Sequence, residues 1–193
     1  MTNARLVSLA TFVGLAACSH TEVVAAFPLE WRGVDSQPTP SPAVMDGIRR
    51  HVFHVEPFAD KRPADSPIAT IEDDPHPVQT PTDVAAFCTK QFTDLLTAAS
   101  AHIGEEPNAV DLHAEILDFK VIEGGFYNGE ARVHFSIQSG GQSTWEGVYD
   151  GKSKRWGRSH SADNYNEALS NAFAEVVRNL MQDDSFGKAL AKP

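Results

Sequence analysis

The sequence predicts an α+β domain in which an antiparallel sheet carries two long amphipathic helices packed on one face. Two stretches, residues 82–102 and 163–181, repeat apolar side chains at spacings of three and four, as an amphipathic helix does. Between them, from residue 110 to 161, apolar and polar residues alternate in segments that are separated by pairs of glycines. Helices that flank a run of antiparallel strands are typical of α+β proteins.

The composition limits the size and the kind of protein. A chain of 193 residues, 41% of them hydrophobic, is long enough for one domain with a substantial core. Its net charge of −10 repels phosphate backbones and so argues against nucleic-acid binding. Uninterrupted apolar runs are shorter than the ~18 residues of a membrane-spanning helix, so we predict no permanent transmembrane helix.

The N-terminus has the features of a bacterial lipoprotein signal peptide. Residues 1–17 contain one basic side chain, Arg5, followed by an apolar run that is too short to span a bilayer. Small residues then lead into a cysteine in the sequence Leu15-Ala16-Ala17-Cys18, which matches a lipobox. The alternative is an ordinary secretory signal that happens to contain a cysteine. We predict cleavage before Cys18, attachment of diacylglycerol to its thiol and acylation of the new N-terminus, typically with palmitate, because several acyl chains give stable anchoring.

The residues after the lipobox predict a location and a tether. Ser19 follows the cysteine, and the lack of an aspartate there favours the outer membrane, with the domain facing the periplasm, over the inner membrane. We interpret residues 18–50 as a lipidated tether, because residues 36–42 are rich in proline and should be extended. A single α+β domain then covers residues 51–193. With Cys18 lipidated, Cys88 has no partner for a disulfide and is predicted to be a buried, inert thiol.

The first elements of the domain are short. Residues 51–58 have the β-branched and aromatic content of a strand, residues 66–72 are a weaker strand candidate, and residues 73–81 read as a proline-rich loop. Thr82 or Asp83 then caps the first long helix, which should run to about residue 102. Its buried face consists of Val84, Phe87, Cys88, Phe92, Leu95, Leu96, Ala99 and Ile103.

Three strands are predicted to follow. In residues 110–121 the apolar positions change phase after Ile116, which indicates a β-bulge or a strand covered on both faces. Residues 131–138 alternate most regularly, and residues 143–161 read as a long strand that is broken near Asp150-Gly151. Turns are predicted at Gly124-Gly125, Asn128-Gly129 and Gly140-Gly141.

The last long helix begins at Asp163 or Asn164, and Glu167 stands at the capping-box spacing from Asn164. Its buried face consists of Ala168, Leu169, Ala172, Phe173, Val176, Val177, Leu180 and Met181. Residues 184–191 are predicted to add a final turn.

The chain resembles the YajG-type family of bacterial lipoproteins. The likeness rests on the lipobox, on residues 58–62 after the first strand, on residues 127–132 in the hairpin, and on residues 164–169 and 180–185 around the last helix. It departs from the family pattern in its longer proline-rich insert, residues 73–81. The resemblance implies an envelope lipoprotein with a small α+β domain, and the motifs that carry it are packing and turn signals rather than catalytic ones.

No motif in the sequence predicts catalysis. It contains no nucleophile elbow, no P-loop, no dinucleotide fingerprint and no H-E-x-x-H sequence. Eight histidines raise the question of a metal, and His113, Glu115 and His134 are the conceivable cluster on neighbouring strands. A solvated polar sheet face accounts for the same residues, so we predict no metal site and no cofactor.

A possible interaction surface is predicted from Tyr127, Trp145, Tyr149 and Trp156, because tryptophan and tyrosine are enriched at interfaces. The alternative is that they form cross-strand pairs within the sheet. The basic run of residues 152–158 is the one positive patch in the sequence and could touch anionic lipid. A solvated hairpin in an acidic protein explains that run without contact to lipid or lipopolysaccharide, and it is the interpretation that we favour.

These observations favour a non-enzymatic, membrane-anchored envelope lipoprotein that binds a protein partner or supports envelope assembly. One alternative is an auxiliary lipoprotein of a lipid-transport system, with the region of Trp145 and Trp156 in contact with an acyl chain. The other is a metal-binding domain that uses the histidines.

Overall fold

A computed structural model describes residues 25–72, 74–139, 142–157 and 160–191. The predicted signal peptide and the lipidation site at Cys18 lie outside these described residues. The helices of the described chain are α1 (Pro42–Arg50), α2 (Val84–Ala98), α3 (Ala162–Gln182) and α4 (Asp184–Leu190). Its strands are β1 (Val52–Val55), β2 (Ala59–Asp60), β3 (Ala69–Ile71), β4 (Asp74–Val78), β5 (His102–Ile103), β6 (Val110–Glu123), β7 (Tyr127–Ser139) and β8 (Gln142–Arg155).

The sheet is mixed, which corrects the prediction of a purely antiparallel sheet. Strands β6, β7 and β8 form the predicted antiparallel meander. The short strands β1, β2 and β3 lie one after another along the other edge of β6, and each of them runs parallel to it. A parallel pair needs a crossover connection, and α2 provides it between these short strands and β6. Both long helices, α2 and α3, were predicted.

Two further helices, α1 and α4, are present within the described residues and were not predicted as helices. Ser41 caps α1, and Pro42 occupies its first turn, where a proline costs no hydrogen bond. The two helices contact each other closely: a Cβ on Gly47 would come within 2.6 Å of Leu190, and one on Gly187 within 2.8 Å of Ala43.

Residues 25–50 are bound to the body of the domain, which corrects their interpretation as a tether. Phe27 is 2% exposed, and Val44 and Ile48 on α1 are fully buried. The intervening backbone is held by side chains of α3, since the amide of Arg32 donates to Ser170 and that of Asp35 to Asn171. The apolar side chains of this segment pack into the core, whereas its proline content had suggested an extended chain. Residues 18–24 of the predicted tether lie outside the described part of the chain.

Two boundaries differ from the predictions because of local backbone geometry. The proline-rich residues 74–78 form strand β4 rather than a loop; proline is tolerated there because β4 is an edge strand that pairs with β3. Helix α2 ends at Ala98, because Ser100 adopts a φ of 72°. Residues 102 and 103 then pair with β1 as β5 instead of extending the helix.

The predicted bulge is confirmed, and two predicted interruptions are not. The pairing of β6 with β7 shifts between Ile116 and Asp118, which leaves Leu117 as the extra residue. Gly129 lies inside β7 and Gly151 inside β8, without a turn or a break. Both glycines allow α3 to approach, because a Cβ would lie 2.4 Å from the Ala168 carbonyl oxygen at the first and 2.0 Å from the Ala172 carbonyl oxygen at the second.

The core lies between the sheet and helices α2 and α3, and aromatic rings fill its centre. Phe173 of α3 contacts Phe119 of β6 at 6.3 Å and Phe58 at 6.4 Å between ring centroids. Cys88 on α2 is fully buried, as predicted, and burial raises the pKa of its thiol. A buried thiol that resists ionisation is a poor nucleophile.

Candidate interaction surface

The sheet has one face covered by helices and one open face. Residues alternate between the two faces along a strand. On β7, Val133 and Phe135 point to the helices and are buried, whereas His134 points to the other side. The open face consists of His113, Glu115, Asp118 and Lys120 on β6, of Asn128, Glu130, Arg132, His134, Ser136 and Gln138 on β7, and of Glu146, Val148, Asp150, Lys152 and Lys154 on β8.

Opposite charges face each other across the strands of the open face. His134 Nδ1 lies 3.4 Å from a Glu115 oxygen, and its Nε2 lies 3.6 Å from a Glu146 oxygen. Lys120 Nζ lies 2.6 Å from Asp118 and 3.5 Å from Glu130. The hydrogen bond to Asp118 is the main cause of a raised pKa for Lys120. The open face therefore presents ordered charges of both signs to any partner.

Most of the residues that line the concavities on this face are polar or charged. One, of about 310 Å³, contains His113, Glu115, His134 and Glu146. Charged and hydroxyl side chains suit a polar surface better than an acyl chain, because burying them against hydrocarbon would leave their hydrogen bonds unmade.

The conceivable metal cluster is only partly assembled. Glu115 and His134 are opposite each other in the β6–β7 register, and His113 lies one pair further along, opposite Ser136. Among the described residues, no group of three or more histidine, cysteine or acidic side chains could hold a metal ion.

The predicted aromatic residues do not form one surface. Tyr127 is fully buried and packs edge-on against Tyr165, with ring centroids 5.2 Å apart. Tyr127 is buried because it lies on the same face of β7 as Ala131, Val133 and Phe135, the face that the helices cover. Trp156 lies at the opposite extreme, with 70% of its surface exposed.

Trp145 and Tyr149 lie between these extremes and hold helix α4 on the sheet. The Trp145 ring packs against Phe186 at 5.0 Å, and its Nε1 donates to Ser185 at 3.1 Å. The hydroxyl of Tyr149 donates to Asp183 at 2.5 Å. Their contacts explain them as packing residues.

Trp156 belongs to a basic–aromatic corner, which we define as Phe126, Lys152, Lys154 and Trp156. Phe126 is 38% exposed, and Lys154 Nζ lies 4.0 Å above the centre of its ring, a cation–π contact. A groove of about 490 Å³ adjoins the two lysines. The corner lies at the end of the sheet where β6 turns into β7 and β8 ends.

A buried polar cluster beside this corner was missed by the sequence analysis. Glu123, the last residue of β6, is 2% exposed and accepts a hydrogen bond from the Tyr165 hydroxyl. His160 Nδ1 lies 2.8 Å from its other oxygen. Burial and the contact with Glu123 raise the pKa of Tyr165. Tyr127 and Tyr165 are fully buried, and the cluster ties β6 to the start of α3.

His54 provides a pH-dependent contact at the other end of the open face. Its Nδ1 lies 3.0 Å from Asp111 and 3.7 Å from Glu56. The hydrogen bond with Asp111 is the main cause that raises the pKa of His54 above its ordinary value. Protonated His54 therefore stabilises the fold below its unfolded-state pKa, and this contribution is lost as the pH rises through the folded-state pKa.

We expect Asp111→Asn to lower the pKa of His54 towards its ordinary value, because the charged hydrogen-bond acceptor is lost. A proton NMR titration of the imidazole measures the change. Asp94→Asn, which alters an exposed carboxylate on α2, should leave the titration of His54 unchanged. Equal His54 pKa values in wild type and Asp111→Asn would contradict this expectation.

No protein-family model matches the sequence, and no curated protein matches it. Solved structures do match the fold. A DUF330-family protein from Xanthomonas campestris has a TM-score of 0.56 at 14% identity, covering 86% of this chain and 95% of that chain. An uncharacterised protein has a TM-score of 0.52 at 12% identity, covering 83% and 97%. A candidate lipoprotein from Caulobacter crescentus has a TM-score of 0.48 at 13% identity, covering 78% and 97%.

Identities this low establish a shared fold and no activity. The fold is thus one that occurs in the DUF330 family, and these structures do not single out the YajG-type family. Across the described part of the chain, no helix combines the length and the apolar character needed to cross a bilayer.

Proposed function

We propose that this chain is a non-enzymatic lipoprotein of the bacterial cell envelope, related to the YajG-type lipoproteins and anchored through Cys18. The lipobox Leu15-Ala16-Ala17-Cys18 supports the anchor. Ser19 favours the outer membrane, with the domain in the periplasm. In this arrangement the helices cover one face of the sheet, and the other face remains available to a partner.

The open face of the sheet is the observation that carries a partner-binding role. Its paired charges, such as Arg132 with Asp150 at 3.5 Å, present a fixed pattern of both signs. Such a pattern gives specificity to a protein partner with the complementary pattern. The charged side chains beside its concavities favour a protein surface over an acyl chain as the ligand.

The anchor is tested by comparing wild type with Cys18→Ser in cells supplied with an alkyne analogue of palmitate. We expect the wild type to be labelled and to remain with membranes, and the variant to be unlabelled and released. A mass spectrum of the mature wild-type protein should show diacylglycerol on Cys18. An unmodified wild-type N-terminus would overturn the anchor. Cys88→Ser, which changes the buried cysteine instead, should keep the label.

The partner surface is tested with a photo-crosslinking amino acid at Val148, which is 46% exposed on the open face. We expect a discrete protein adduct in intact envelopes, weakened by Arg132→Glu on the same face. The same crosslinker at Arg49, exposed on α1, is the matched control and should not give that adduct. Adducts of the same size from both positions, or no adduct from Val148, would contradict binding through the open face.

A further inference from the structure

We infer that the basic–aromatic corner docks on the surface of the lipid bilayer that holds the anchor. The contact is with phospholipid headgroups, anionic ones above all. This inference rests on the proposed lipidation of Cys18, and it adds the orientation of the domain on the membrane.

The path of the N-terminal segment indicates which end of the sheet faces the anchor. Strand β4 begins at Asp74 beside Ile71, and Ile71 pairs with Glu123 at the end of β6. From there β4 runs away from the β6–β7 turn. Ala26 pairs in parallel with Gln79, just after β4, so residues 25–27 run in the same direction.

Ala25 is therefore the residue of this segment that lies nearest to the end of the sheet with the β6–β7 turn. The seven residue steps from Cys18 to Ala25 span at most about 25 Å when fully extended. An acylated Cys18 thus keeps Ala25 within about 25 Å of the bilayer. The basic–aromatic corner lies at the same end, because Tyr127 pairs with Arg155 there.

The side chains of the corner have the chemistry of a bilayer interface. Trp156 and Phe126 are exposed aromatic rings, and aromatic residues, tryptophan above all, collect at the level of the headgroups. Lys152 and Lys154 are exposed beside them and are attracted by an anionic lipid surface. Their chemistry is complementary to the membrane, although the chain as a whole has a net charge of −10.

Two charged side chains near the lysines of the corner are paired with other residues. The carboxylate of Glu130 is directed to Lys120, at 3.5 Å. Arg155 lies on the helix side of the strand and is paired with Asp35 and Glu167. Acidic residues, Glu72 and Asp74 among them, also lie at this end of the sheet. Docking is therefore weak by itself and depends on the high local concentration that the anchor provides.

The test uses the full-length lipidated protein in vesicles of phosphatidylethanolamine and phosphatidylglycerol with brominated acyl chains. Bromine quenches the fluorescence of a nearby indole. We expect quenching of the Trp156 emission, which is the component that the Trp156→Phe variant lacks. Trp31 and Trp145, which pack against the core, account for the remaining emission. Circular dichroism checks that the exposed substitution leaves the fold intact.

Lys152→Gln combined with Lys154→Gln should reduce the ratio of docked to undocked protein by roughly 25-fold, at about fivefold for each lysine. Lys188→Gln is the matched control, because Lys188 is exposed on α4 beside the opposite end of β8. It should leave the quenching unchanged.

The outcomes separate this inference from the function that it rests on. A protein that carries the lipid, is bound to the vesicles and shows no quenching of Trp156 overturns the docking inference alone and leaves the proposed anchor intact. A mass spectrum without lipid on Cys18 overturns the proposed anchor, and the inference with it. Quenching that is equal in wild type and the double lysine variant also contradicts a headgroup contact.

Discussion

Replacing Gly151 with alanine should destabilise the protein by about 3 kcal/mol, since overpacking a site with no room to relax has costs of this order. The new methyl group would lie 2.0 Å from the carbonyl oxygen of Ala172 and 2.7 Å from the amide nitrogen of Val176. Both are backbone atoms of α3, so the helix as a whole would have to move away from β8. For a domain of this size we expect the Tm to fall by about 10 °C.

Thermal or urea unfolding of Gly151→Ala against Gly33→Ala measures this effect. The control adds the same methyl group at a position with no neighbouring atom within 4 Å. Its free energy of unfolding should stay within about 0.5 kcal/mol of wild type. If both variants unfold at the same temperature, the close approach of α3 to β8 is not what this glycine provides.

Phe173→Ala should reduce the free energy of unfolding by about 3–5 kcal/mol, the range for removing a buried phenylalanine ring. Phe173 is fully buried, and its ring lies 6.5 Å from Trp31, 6.4 Å from Phe58 and 6.3 Å from Phe119. It thus joins the N-terminal segment, α3 and the sheet, and its loss would leave a cavity that none of them can fill.

Phe126→Ala is the matched control for Phe173→Ala, because the Phe126 ring is 38% exposed. We expect it to cost far less, since little apolar surface leaves the core. Urea denaturation monitored by circular dichroism gives both values. Equal losses for the two variants would contradict a core centred on Phe173.

The spacing of apolar residues along the chain predicted the helices and strands in which that spacing is regular. The spacing of apolar residues located α2 and α3, and the change of phase after Ile116 located the bulge at Leu117. Patterns of this kind do not encode which strands pair. The parallel pairing of Phe53 with Val110 joins residues that are far apart in sequence, and the crossover through α2 is visible only in the fold.

The aromatic residues show how far the site was predictable. Tyr127, Trp145 and Tyr149 stand at odd positions, in phase with the buried side chains of β7, whereas Trp156 is out of phase and exposed. Counting the alternation along β7 from Val133 places Tyr127 on the buried face. Counting along β8 separates Trp156 from Trp145 and Tyr149. Glu123 also lies on the buried face, but its partners Tyr165 and His160 come some forty residues later and have no sequence signal.

The contact of the first described residues with the last helices determines when the fold can close. The amide of Ser41 donates to the carbonyl of Met181, and α1 completes its burial only against α4. These partners are more than a hundred residues apart, so closing the loop between them carries a large entropic cost and slows folding. Helix α1 therefore cannot complete its packing until α4, at the other end of the described chain, has formed. If the chain is exported as we propose, α1 would be among the last parts of the domain to become ordered, and an export chaperone would meet its apolar residues Val44 and Ile48 while they are still exposed.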